Sequence, residues 1–113
     1  MDFYEPSIMS DQELNAQIKT NGKQIMFMSA EWCGDCKAIK PFIKALKKHA
    51  EDAGINWFDA DRDANMAIAQ AQDIWGIPVF VAFVDGVQVD HLGDGQRVAP
   101  KEVTEFIDKL INR

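Results

Sequence analysis

Two cysteines, three residues apart in Cys33-Gly34-Asp35-Cys36, are the only cysteines in the chain. A thiol pair at this spacing has three chemical uses: a dithiol–disulfide cycle, a structural staple, or half of a zinc site. Stapling is the weakest reading, because closing so short a loop removes little chain entropy. Zinc normally takes four ligands, and only His49 and His91 could join, neither at metal spacing from the pair. Exchange is the chemistry that the pair favours over these two. It needs one thiol with thiolate character and a second within reach to resolve the mixed disulfide. At the start of a helix, unpaired N–H groups and the positive end of the macrodipole favour a thiolate, and Cys33 stands at such an edge. Cys36 then shares its helix face and can close a disulfide with it.

The elements that must hold this pair are legible in the apolar pattern. Residues 25–29, immediately upstream, form a short and almost continuously apolar run, as in a strand buried on both faces. Downstream, Ile39, Phe42, Ile43, Leu46 and Ala50 recur at helical spacing, with Lys37, Lys40, Lys44, Lys47 and Lys48 opposite. Pro41 falls inside that helix and is expected to bend it; Gly54 ends it. An earlier helix opens with the capping-box pair Ser10 and Glu13 and stops at Asn21-Gly22. Residues 55–58 read as a second strand. Ala67, Ile68, Ala71, Ile74 and Trp75 suggest a third helix, stopped by Gly76 and Pro78. Residues 79–84 are a third strand, and Asp85-Gly86 is a strong hairpin signal before an alternating run at 87–90. The last helix begins near Pro100, its stripe formed by Val103, Phe106, Ile107, Leu110 and Ile111.

This order predicts an α/β fold. The strand–helix–strand unit implies parallel pairing with a right-handed crossover, and the hairpin adds an antiparallel edge. Strands apolar all round require helices on both faces. A length of 113 residues suits a single domain over 1–113. The content of hydrophobic residues, 47%, and of charged residues, 27%, is ordinary for a globular chain. The net charge of −6 argues against a nucleic-acid partner and against an anionic membrane surface. The residues Met1 to Pro6 make a poor secretory signal, and no apolar run is long enough to span a bilayer; the expected location is the cytoplasm.

The segment Ala30-Glu31-Trp32-Cys33-Gly34-Asp35-Cys36-Lys37, followed by Pro41, Gly76-Ile77-Pro78, Asp85-Gly86 and Gly93, resembles the thioredoxin family over residues 10–113. The resemblance implies a thioredoxin fold with a mixed sheet, parallel strands plus a C-terminal antiparallel hairpin, covered by helices on both faces. It implies that Cys33 attacks, that Cys36 resolves, and that Pro78 is a cis-proline packed against their disulfide. Trp32, Gly34, Asp35, Ile77, Pro78 and Gly93 would then contact an extended substrate peptide in a shallow groove. It further implies disulfide-containing protein substrates, a monomer, and no cofactor beyond the redox-active disulfide. Electrons would come from a separate donor of the thioredoxin-reductase kind, since the chain has no dinucleotide or flavin fingerprint. The alternative is a non-catalytic binding or chaperone module using the same groove. Three positions depart from the family pattern: Asp35 where proline is usual, Phe27 where a buried aspartate is usual, and Ser29 where many members have an aromatic residue.

Other residues have plainer readings. Trp57 and Trp75 are expected in the core, His49 and His91 at the surface or an edge. The lysine face reads as a solvated helix face. Asp59, Asp61 and Asp63 are explained by strand-end and helix-start duties.

Overall fold

The central strand of the molecule is the one that leads into the cysteine pair. In the computed structural model, which describes residues 4–113, this strand is β1 (Lys23–Ser29), buried from Gln24 onwards. Strand geometry sends alternate side chains to opposite faces. Ile25 and Phe27 enter one core, Met26 and Met28 the other. Both faces are therefore apolar and both must be covered.

The chain supplies that cover with α1 (Asp11–Ile18), α2 (Gly34–Asp52), α3 (Met66–Ala71) and α4 (Pro100–Ile111). The faces of α2 and α4 that carry Ile39, Ile43, Leu46, Val103, Phe106 and Ile107 pack on the Phe27 side. Leu14 and Ile18 of α1, with Ile68 and Ala69 of α3, pack on the Met26 side, and the two cysteines join this second core. The sheet is completed by β2 (Asn56–Asp61), β3 (Val79–Val84) and β4 (Val87–Leu92), in the order β2-β1-β3-β4.

The crossover β1–α2–β2 gives the expected parallel pair, with Phe27 opposite Asp59. Strands β2 and β3 are joined by α3 but lie on opposite sides of β1. β3 runs antiparallel to β1, with Phe27 opposite Phe80. The hairpin β3–β4 is antiparallel and turns at Asp85 and Gly86, both at positive φ as a two-residue turn of this kind requires. The mixed sheet with helices on both faces is the thioredoxin fold implied by the resemblance.

One helix is shorter than its apolar spacing suggests. α3 ends at Ala71. Asp73 adopts the left-handed region, at φ 58°, which ends the helical run. The N–H of Ile74 then closes back onto the carbonyl of Ala69 at 2.8 Å. This reversal sends Ile74 into the core and leaves Trp75 outside it, 66% exposed. Trp57 is buried as expected. β4 runs two residues past the alternating segment, with a register shift opposite Ala82 and Phe83.

Candidate active site

The end of β1 delivers the chain into a turn at residues 30–33, closed by the N–H of Cys33 on the carbonyl of Ala30 at 3.2 Å. Cys33 is extended and forms the N-cap of α2. An N-cap side chain ordinarily offers oxygen to the free N–H groups of the first turn. Here sulfur takes that place: the N–H of Cys36 donates to Cys33 Sγ at 3.1 Å. The two sulfurs form a disulfide, with Cα atoms 5.2 Å apart. Their exposure differs. Cys33 keeps 7% of its surface, whereas Cys36 has none.

The opposite wall comes from the residues before β3. The Ile77–Pro78 peptide bond is cis, and the carbonyl oxygen of Ile77 lies 3.9 Å from Cys33 Sγ. Close backbone approach holds this wall in place. A Cβ on Gly93, whose φ is positive, would run into the carbonyl of Pro78, and one on Gly76 into the backbone of Asp94 and Gly95. Gly93 thus braces Pro78 from behind. Gly95, with Trp32, Gly76 and Ile77, lines a cleft of about 350 Å³ beside the disulfide. Gly34 has open space around its Cα. Trp32 is 66% exposed and donates its indole N–H to Asp63 at 2.7 Å.

Asp35, between the cysteines, is held by Arg97, whose Nε donates to it at 3.1 Å. Sixty-two residues separate the two in sequence, and no spacing rule points from one to the other. Of the three neighbouring aspartates only Asp61 has the local duty expected, accepting the N–H groups of Asp63 and Ala64 before α3, whereas Asp63 is taken by Trp32 and Asp59 by the distant Tyr4. His49 is exposed and meets Asp108 of α4 at 2.7 Å, and His91 is exposed on β4. On the lysine face, Lys48 pairs with Asp52 and the Lys47 ammonium stands 5.5 Å over the ring of Tyr4.

In β1, Phe27 stands where the resemblance implies a buried carboxylate. It is fully buried and stacks on Phe80 at 4.9 Å, with Trp57 at 6.4 Å. A buried carboxylate does lie on the neighbouring strand, where Asp59 faces Phe27 in register. Its Oδ2 accepts from the Tyr4 hydroxyl at 2.6 Å and the Ser7 N–H at 3.1 Å, while Oδ1 has no partner among the described residues. Burial, then the hydrogen bond to Asp59, pushes the Tyr4 hydroxyl far above the usual tyrosine range.

Chemically, the arrangement offers one sulfur beside a helix-start donor, on the cysteine that keeps a little surface, a second sulfur bonded to it on a fully buried cysteine, and a flanking backbone carbonyl.

Comparison with known proteins bears on the same residues. The thioredoxin family model matches residues 5–109. Thioredoxin of Staphylococcus aureus is 30% identical over 102 residues, covering 89% of this chain and 93% of that one. The chloroplastic thioredoxin X of Arabidopsis thaliana is 32% identical over 83 residues; the match covers 74% of this chain and 45% of that longer protein. The solved structure of Plasmodium falciparum thioredoxin superposes with a TM-score of 0.80 at 26% identity, covering 93% of this chain and 98% of that one. The family match reaches from the first helix into the last and takes in the Cys33–Cys36 turn, and on that ground this chain belongs to the thioredoxin family.

Proposed function

We propose that the protein is a thiol–disulfide oxidoreductase that reduces or exchanges disulfides of other proteins by cycling Cys33 and Cys36. Family membership supports the general class, and the unequal burial of the two cysteines carries the assignment of roles. In the reduced protein the Cys33 thiolate attacks one sulfur of the substrate disulfide. A Cys33–substrate bond forms, the substrate S–S bond breaks, and the departing thiolate takes a proton. Cys36 then loses its proton and attacks the Cys33 sulfur, which closes the internal disulfide and frees the second substrate thiol. Two electrons and two protons pass from the dithiol to the substrate.

Cys33 suits the first step because the N–H of Cys36 already points at its sulfur. Cys36 suits the second because it is fully buried behind Cys33, its disulfide partner. With Phe27 in place of a carboxylate at that position of β1, the proton of Cys36 leaves through water or another group. Trp32, Gly34 and Asp35 on one side, with Ile77 and Pro78 on the other, border the substrate segment, and Gly93 supports Pro78. The dithiol is restored by an external donor of the thioredoxin-reductase kind. The protein works as a cytoplasmic monomer with the disulfide as its only redox group.

The test is insulin reduction driven by dithiothreitol, read as precipitation of the freed B chain. Wild type should shorten the lag and Cys33→Ser should abolish the effect. Equal, uncatalysed rates for both would replace this reading with a binding module that uses the same groove.

A further inference from the structure

Three of the large apolar side chains that stay exposed in this protein converge on a single cleft: Trp32 and Trp75, each 66% exposed, and Met66, 43% exposed. Apolar surface concentrated in this way marks a contact site rather than scattered exposure. The cleft is continuous with the disulfide, because Ile77 both lines it and brings its carbonyl to 3.9 Å from Cys33 Sγ.

The two indoles are fixed before any partner arrives. Trp32 donates its N–H to Asp63 and Trp75 donates its N–H to Asp73, both at 2.7 Å. An indole has one donor. With both donors already engaged inside the protein, the rings present apolar surface to the cleft and no free hydrogen-bonding group. Rings held in this way lose little conformational freedom on binding. The same carboxylates give the rim its charge: Asp63 and Asp73 stand at the indoles, with Arg62 the one cation among the described residues that line the cleft.

We propose that the Trp32–Trp75 cleft is a specificity pocket, which takes a large apolar side chain of the phenylalanine or leucine class from the substrate segment next to the disulfide and favours a basic neighbour. This inference rests on the redox reading of Cys33. An extended segment with its cysteine at Cys33 carries its next same-side residue about 7 Å further along, within reach of a cleft whose wall residue Ile77 brings its carbonyl to 3.9 Å from Cys33 Sγ. Selection of the segment is then separate from the chemistry at sulfur.

The test uses mixed disulfides of 2-nitro-5-thiobenzoate with short peptides, whose reduction releases a coloured thiol, and hydroxyethyl disulfide as a substrate without a peptide. One peptide carries phenylalanine two residues to either side of its cysteine with lysines beyond. The second has serine for phenylalanine, and the third has glutamate for lysine. Wild type should prefer the phenylalanine peptide to the serine peptide by about tenfold in kcat/KM, as expected for partial burial of one aromatic side chain. Trp75→Ala should reduce that ratio to about two, and Trp75→Phe should retain most of it. Glutamate for lysine should lower the rate a few-fold. A wild type that reduces hydroxyethyl disulfide but treats the phenylalanine and serine peptides alike would overturn this inference and leave the redox reading standing. So would a ratio unchanged in Trp75→Ala. A glutamate peptide that reacts faster than its lysine counterpart would overturn the basic preference. Failure of the wild type on all four substrates would remove the redox reading itself, and the pocket's proposed use with it.

Discussion

The carboxylate of Asp35 stands in the first turn of α2, where negative charge complements the helix dipole, and it stands between two sulfurs, one of which must carry negative charge to react. Those two effects oppose each other, and Arg97 alters the balance between them. Both side chains of the Arg97–Asp35 pair are more than a third exposed, so the pair is well hydrated and its contribution is modest. Removing either partner should therefore shift Cys33 reactivity in opposite directions. Asp35→Asn leaves Arg97 uncompensated near the sulfur and should make the thiolate easier to form, which also makes the disulfide more oxidising. Arg97→Ala leaves Asp35 uncompensated and should do the reverse. Iodoacetamide alkylation of the reduced protein at neutral pH should change by about two- to fivefold, up for the first variant and down for the second. Movement in the same direction for both would mean that neither charge acts on Cys33 through its field. Asp35 itself was legible as a departure from the family motif, but its partner was not, because an ion pair across sixty-two residues leaves no trace in local spacing.

At the scale of elements, hydrophobic period and turn chemistry identified every helix and strand that frames the site. The capping box at Ser10, the Asp85-Gly86 turn and Pro100 at the start of α4 each stand where their chemistry requires. Two aromatic residues stand outside their expected stripes: Phe42 of α2 is exposed, and Trp75 follows a left-handed Asp73, a reversal by a non-glycine residue of which an apolar stripe carries no sign. The segment ahead of α1 was also silent. There Tyr4 lies against β2, anchored to Asp59, and Ile8 bridges to the same residue. Tyr4 holds its proton more tightly folded than unfolded. The stability it contributes is thus complete below about pH 10 and declines as the pH rises above that value. Tyr4 is the only tyrosine in the chain, so any phenolate band near 295 nm, read above the absorbance of the three tryptophans, belongs to it. The folded protein should show no phenolate near pH 10, and ionisation should accompany unfolding at higher pH; a reversible transition near pH 10 without unfolding would contradict the buried contact. Tyr4→Phe should lower unfolding free energy in urea at pH 7 by about 1.5–3 kcal/mol, the usual worth of a hydrogen bond to a charged group.

Across the whole molecule, the two-layer fold decides which cysteine keeps some surface. β1 runs between two cores and ends at the surface, α2 starts there, and the start of β3 comes back beside it. The cysteine pair, its helix and the Gly76-Ile77-Pro78 segment were all readable from sequence, since each depends on residues close together in the chain. Which sulfur is buried was not, because it depends on how α2 sits on the sheet, and neither was the cleft between Trp32 and Trp75, which joins two loops from distant parts of the chain. The unequal burial yields the central claim, that Cys33 attacks and Cys36 resolves. The direct measurement is trapping of the covalent intermediate, with intact mass and peptide mapping after mixing reduced single-cysteine variants with an oxidised protein substrate. Cys36→Ser should accumulate a substrate-sized mixed disulfide mapped to Cys33, whereas Cys33→Ser should accumulate none on Cys36. Equal trapping on the two sulfurs, or trapping on Cys36 alone, would contradict the assignment.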